Sequence, residues 1–388
     1  MFKDFTWQAF LMGLIASIVG FASSFAVVVG GLIAVGASPE QASSGLMAGA
    51  IAMGVAGIVL GIMTRMPIAA AWSTPGAALM VTTGAVDGGF EAAVGAFLVT
   101  GALIILAGFW KPLGRWVALI PTAIASAMLA GVLMGLCLAP VKAAATAPEA
   151  ALPVIIAWAI VARFKRLWAV PAAALVAVII VVMQGDAIPI ASVWPQPVLV
   201  VPNFTLGALV GIALPLFIVT MASQNIPGIA VLRSYGYEPP SGRPIAVTGI
   251  ISMMFAPFGG HTTNLSAIVA ALCAGPDAHE NPDKRYWAAI SMGIFSVVLG
   301  LLASLVIAVV QAAPPLLIET VAGLALLGPL AASLKNALAD EDMREAAVVT
   351  FIVAASGLTI AGVGGAFWGL IAGGVILGLK RLGAKPRA

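Results

Sequence analysis

Apolar residues fill this chain in long blocks, and polar positions fall between the blocks or at a few interruptions inside them. A membrane-spanning helix needs about 20 mostly apolar residues. Blocks of that kind, with some shorter ones, lie at 7–35, 39–63, 88–110, 115–139, 152–163, 168–184, 206–233, 243–256, 287–311, 315–336, 345–361 and 364–380. Two more, 72–85 and 261–274, are short and open on clusters of Gly, Pro and hydroxyl side chains. The pattern therefore predicts fourteen spans. The first block is too long for a signal-peptide core and reads as an uncleaved spanning helix.

Charge placement supports that count. With a cytoplasmic N-terminus, fourteen crossings put every Lys and Arg except Lys142 on the inner side, out of 18 in the chain. Glu40, Asp87, Glu91, Glu149 and Asp186 then face outward. Such a bias of basic residues is the positive-inside pattern. Removing either short block would put the later loops on the wrong side. Both termini are predicted to be cytoplasmic.

Seven spans in each half means that the second half enters from the opposite side, an inverted repeat. Residues 1–184 form the first repeat, 185–204 a Pro-rich outer linker and 205–388 the second repeat. The halves echo each other weakly. Leu119-Ile120-Pro121-Thr122 resembles Leu317-Ile318-Glu319-Thr320, and Ser23-Ser24-Phe25 interrupts one first span as Ser223-Gln224-Asn225 interrupts the other.

Composition narrows the class. The chain is 62% hydrophobic and 9% charged, against about 25% charged in soluble domains. The net charge of +3 gives no nucleic-acid footprint. Cys137 and Cys273 lie in apolar runs and read as small buried hydrophobes. No Gly-x-x-x-x-Gly-Lys, His-Glu-x-x-His or Gly-x-Ser-x-Gly motif is present, which argues against an ATPase or an enzyme. No metal or cofactor is expected. Asp277, His279 and Glu280 read as a solvated loop.

The two short blocks carry the chemistry. Paired Gly/Pro-interrupted segments in corresponding positions of two halves point to a transporter's binding site. In Pro67-Ile-Ala-Ala-Ala-Trp-Ser-Thr-Pro-Gly76, an extended Ile68–Ala71 leads to Ser73 or Thr74 as helix cap, with Pro75 in the first turn. In Pro257-Phe-Gly-Gly-His-Thr-Thr-Asn264, two glycines precede cap-capable Thr262 and Thr263, then the apolar run Leu265–Ala274. Half-helices entering from opposite sides bring their N-termini together, which suits an anion. Gln224 or Asn225 either bonds a neighbouring helix or touches the ligand, and both roles stay open. His261, the histidine at membrane depth, is either a proton carrier or a neutral ring tied to a carbonyl. Phe21, Phe25, Trp72, Phe217, Phe255 and Phe258 are available to pack an aromatic ligand or the core.

These two motifs, with Cys273-Ala-Gly-Pro-Asp-Ala-His279, resemble signatures of the BenE family of bacterial benzoate transporters. The resemblance runs the length of the chain. It implies proton-coupled benzoate uptake across the inner membrane by alternating access. It also implies the seven-plus-seven fold shared with nucleobase–ascorbate and sulfate-permease transporters, an all-α polytopic membrane protein. There, spans three and ten are strand-plus-half-helix elements. Spans 1–4 and 8–11 form a core domain, and spans 5–7 and 12–14 a gate domain. Carried over, the site comprises Phe25, Trp72, Ser73, Thr74, Gln224, Asn225, His261, Thr262, Thr263 and Asn264, with His261 the proton-coupling candidate. The nucleobase relatives place acidic residues in spans eight and ten, and this chain has none there. That absence fits an anionic substrate but removes the obvious proton acceptor. A passive channel for the same or another anion is the rival reading, and a homodimer stays open.

Overall fold

The computed structural model describes residues 4–110, 120–183, 194–240, 242–266, 269–360 and 363–383. Local chemistry sets most helix starts. Thr6 Oγ1 accepts from the Ala9 amide and opens α1, Trp7–Ala22. The hydroxyls of Ser23 and Ser24 both donate to the Gly20 carbonyl, and Ser24 leaves helical geometry at φ −145°. The chain resumes as α2, Phe25–Ala34. A reciprocal capping box between Ser38 and Gln41 starts α3, Pro39–Thr64, and Arg65 ends it in the left-handed region at φ 52°.

The first short block is strand β1, Ala70–Trp72, followed by α4, Thr74–Thr83. Helices α5 (Gly89–Phe109), α6 (Thr122–Cys137), α7 (Ala139–Thr146), α8 (Pro148–Phe164) and α9 (Ala169–Met183) complete the first half. In the second half, α10 (Leu206–Ser234) contains π-helical turns at Leu209–Ala213 and Met221–Asn225. Then come α11 (Arg243–Phe255), strand β2 (Thr263–Leu265) and α12 (Ala270–Ala274). They are followed by α13 (Tyr286–Gly300), α14 (Ala303–Ala312), α15 (Pro315–Ala337) and α16 (Arg344–Ala355). A hairpin of β3 (Thr359–Ile360) and β4 (Val363–Gly364) leads into α17, Gly365–Gly383.

Among the described residues, seven helices are long and apolar enough to cross a bilayer. The pair α13–α14, bent by 54° at its break, makes an eighth if it is one span. Several expected boundaries move. The block expected at 115–139 continues as helix to Thr146, and the one expected at 152–163 begins at Pro148.

Packing divides the helices. In one group α13 lies between α1 and α3, and α11 lies between α3 and α5; in the other α6 packs on α15 and α16, with α17 on α16. Helices α2 and α4 sit between the groups, α2 touching α15 and α4 touching α6 and α17. Between α3 and α13 the helices meet glycine on glycine. A methyl group on Gly54 would lie 2.5 Å from the Gly293 carbonyl, and one on Gly293 would lie 2.5 Å from that of Gly54. Gly45, Gly57 and Gly61 of α3 likewise face close neighbours: Gly45 meets the Gly259 carbonyl, and the other two meet α13.

Residues 194–204, the described part of the expected linker, bind tightly to the body. The Ser44 hydroxyl bonds the Val198 amide, Val200 N–H donates to the Pro257 carbonyl and Asn203 N–H to that of Glu91. At the far end of the tenth block, the buried Arg285 guanidinium donates to the carbonyls of Ala274, His279 and Glu280. This clamp gives the Cys273–His279 motif a structural role. It places a cation at the C-terminal end of α12.

Candidate functional site

The two short blocks meet at the centre of the molecule. β1 pairs antiparallel with β2, with Ala70 opposite Leu265, Ala71 opposite Asn264 and Trp72 opposite Thr263. The pairing continues past both ends: Ser73 N–H donates to the Thr262 carbonyl at 3.0 Å, and Ser266 N–H to that of Ala69 at 2.9 Å. Beyond the strand, Ser73 Oγ caps α4 by accepting from Gly76 N–H at 3.1 Å. It also accepts from Thr220 Oγ1 at 3.1 Å, which lies 3.3 Å from Thr262 Oγ1.

One expectation is corrected here. Thr262 and Thr263 do not cap a helix, because Thr263 is committed to the strand and Thr262 supports its end. Ser266 Oγ, past the strand, accepts from Val269 N–H at 3.2 Å. The described helix that follows has five residues. The second dipole of the expected pair is correspondingly short.

A narrow cleft with a cavity volume of about 30 Å³ opens beside the strands. Of the site residues carried over from the family resemblance, Trp72, Thr74 and Gln224 line it, as do Phe21, Ser23 and Ser24, which the sequence also marks. Trp72 Nε1 donates to Ser24 Oγ at 2.7 Å, and its ring lies 5.3 Å from that of Phe21, which also faces the cleft. Gln224 sits on the π-helical turn of α10, and neither its amide nor the Thr74 hydroxyl has a hydrogen-bond partner among the described residues. The wall contains no Asp, Glu, Lys or Arg.

The other singled-out residues lie behind this wall. Asn225 turns away, its Oδ1 accepting from Leu265 N–H at 2.9 Å and its Nδ2 contacting Met221 Sδ. Phe25 stacks on Phe21 at 6.1 Å and packs into the cluster of Val154, Ala173, Leu317 and Val321. His261 is buried, with Nε2 donating to the Ser73 carbonyl at 3.2 Å and its ring 6.4 Å from Phe97. Ser73, Thr262, Thr263 and Asn264 are buried within the strand pair and the α4 cap. His261 Nδ1, Thr263 Oγ1 and Asn264 Oδ1 have no partner among the described residues. Away from the cleft, His279 Nδ1 accepts from Asn281 N–H at 2.9 Å, and no metal-ligand cluster occurs among the described residues.

Sequence reasoning missed much of the α1 wall. Ser17 and Gly20, three residues apart on α1, face the cleft together, and Ser23 and Ser24 join them where the helix ends. That spacing was a readable signal. Ser266, Val269, Met53 and Met292 complete the lining, and nothing local in the sequence groups these four.

The chain is matched by the BenE family, described as benzoate membrane transport protein, over residues 3–379. It is 41% identical to the inner membrane protein YdcO of Escherichia coli over 367 residues, 94% of each chain. It is 31% identical to the benzoate membrane transport protein of Acinetobacter baylyi over 376 residues, 96% of this chain and 94% of that one. Among solved structures, it resembles the transmembrane domain of the cyanobacterial bicarbonate transporter BicA, with a TM-score of 0.59 at 15% identity over 97% and 98% of the two chains. It also resembles the murine anion transporter Slc26a9 in its inward-facing state, with a TM-score of 0.65 at 14% identity over 98% of this chain and 69% of that one. These structural likenesses establish the transmembrane fold.

Proposed function

Because this chain belongs to the BenE family, a family of membrane transporters and not of enzymes, we propose that it carries benzoate or a similar aromatic carboxylate into the cell with protons, by alternating access. The observation that carries this reading is the cleft itself. It sets the unpaired donors of Thr74 and Gln224 beside the rings of Phe21 and Trp72, with no carboxylate to repel an anion. A carboxylate accepts hydrogen bonds only, and bonds to an ionised acceptor are among the stronger ones. The start of α4, close to Thr74, adds the positive end of a helix dipole.

The fourteen-span, seven-plus-seven topology with cytoplasmic termini in the inner membrane is part of the proposal. So is the division into core and gate. Two packing groups with α2 and α4 between them suit a core that moves against a gate. The cleft is lined only from the α1–α4 and α10–α13 portions of the chain, so a ligand would travel with the core. Phe25, bridging the cleft ring Phe21 and the second group, lies where such motion would be felt.

His261 is the proposed proton-coupling group. It holds the carbonyl of the residue that caps α4, and its free Nδ1 can take a proton once water reaches it. The test is benzoate uptake into proteoliposomes under an inward proton gradient, for the parent and His261→Gln. The parent should accumulate benzoate, and the variant should exchange it without accumulation. No uptake by the folded parent would overturn the substrate assignment, and full accumulation by the variant would remove His261 from the mechanism.

A further inference from the structure

The polar groups of the cleft are sorted by hydrogen-bond sense. On the α1 side every hydroxyl hydrogen is already committed. Ser23 and Ser24 donate to the Gly20 carbonyl at 3.1 and 2.9 Å. Ser24 also accepts from Trp72 Nε1, which leaves it one lone pair. Ser17 Oγ lies 3.2 Å from Ser296 Oγ, and the Ser296 hydroxyl donates to the Met292 carbonyl at 2.8 Å. A hydroxyl has one hydrogen, so Ser17 must be the donor of that pair. The α1 wall therefore shows the cleft lone pairs alone.

Other groups of the lining have hydrogens to give. Thr74 and Gln224 have no partner among the described residues. Ser266 Oγ accepts from Val269 N–H, and its own hydrogen is uncommitted among them. The serines in and just after α1 thus only accept, whereas Thr74, Gln224 and Ser266 can donate.

A plain aromatic carboxylate uses only the donor side. Its oxygens would be repelled by the lone pairs of Ser17, Ser23 and Ser24, and its ring carbons cannot satisfy them. From this arrangement we infer that the preferred substrate is an aromatic carboxylate bearing a ring hydroxyl. Its carboxylate takes Thr74, Gln224 and Ser266, and its O–H donates to the serines of α1. The inference rests on the aromatic-carboxylate reading above and narrows it to a substrate class. Phe21, Trp72 and Met292 supply apolar lining for the ring.

The test is equilibrium binding to the purified full-length protein of benzoate, its ortho, meta and para hydroxy derivatives and the matching methoxy derivatives. At about pH 7.5 a carboxylic acid is ionised, so only the ring hydroxyl can supply the donor. At least one hydroxy isomer should bind roughly three- to tenfold tighter than benzoate, the scale of one net hydrogen bond. Its methoxy counterpart, which has no hydrogen to give, should show no gain. Ser17→Ala should bring the ratio of hydroxy to plain affinities toward one. If benzoate binds and no hydroxy isomer exceeds it, the inference fails while the aromatic-carboxylate reading stands. Equal gains from hydroxy and methoxy groups would also overturn it, as bulk and not donation would be responsible. If no aromatic acid binds to folded protein, both readings fall together.

Discussion

Trp72 and Ser24 are joined by a 2.7 Å hydrogen bond from the indole N–H to the hydroxyl at the break in the first span. The bond ties strand β1 to the point where α1 ends and α2 begins, and it fixes the plane of the ring that walls the cleft. Replacing Trp72 with Phe keeps an aromatic ring and removes the donor. Losing one such bond costs about 1 kcal/mol, so benzoate affinity should fall several-fold. Calorimetric titration of Trp72→Phe checks this, and unchanged affinity would mean that the indole N–H does not set the wall.

Adjacent residues Gln224 and Asn225 should separate binding from stability. Gln224→Ala removes a cleft donor with no protein partner, so affinity should drop roughly ten- to hundredfold with little change in melting temperature. Asn225→Ala leaves the Leu265 amide unpaired inside the protein, at a cost of about 1–3 kcal/mol in stability. Thermal unfolding and binding measured on both variants give the comparison. Equal effects from the two substitutions would contradict the division of roles.

The contact between α3 and α13 leaves no room for a side chain at Gly54. Gly54→Ala should push the helices apart and destabilise the protein by about 1–3 kcal/mol, the usual cost of overpacking. Gly374→Ala, where a methyl group meets nothing within 4 Å, is the matched control. Melting curves of the two in one detergent measure the difference, and equal melting temperatures would contradict the close approach.

Legibility followed the range of the interactions. The first short block could be read because its signals are local: Ser73 caps, Pro75 occupies the first turn and the residues before them are extended. The second misled at Thr262 and Thr263. Their residue types suit a cap, but pairing with a strand far away in sequence claimed the backbone first. Gln224 and Asn225 were singled out together, yet which of them faces the cleft depends on the π-helical turn they share. The serines of α1 carried a readable spacing. The back-bonding of Ser23 and Ser24 is local and follows from their residue type, whereas the pairing of Ser17 could not be read, because it depends on Ser296 from the other half of the chain.

The most direct test of a carrier for aromatic carboxylates is counterflow in proteoliposomes. Vesicles preloaded with unlabelled benzoate, with no gradient of proton or potential, should take up external labelled benzoate several-fold faster than empty vesicles. That acceleration should vanish on denaturation of the protein. Uptake at the same rate with and without internal benzoate would contradict the carrier account and favour a passive anion pathway.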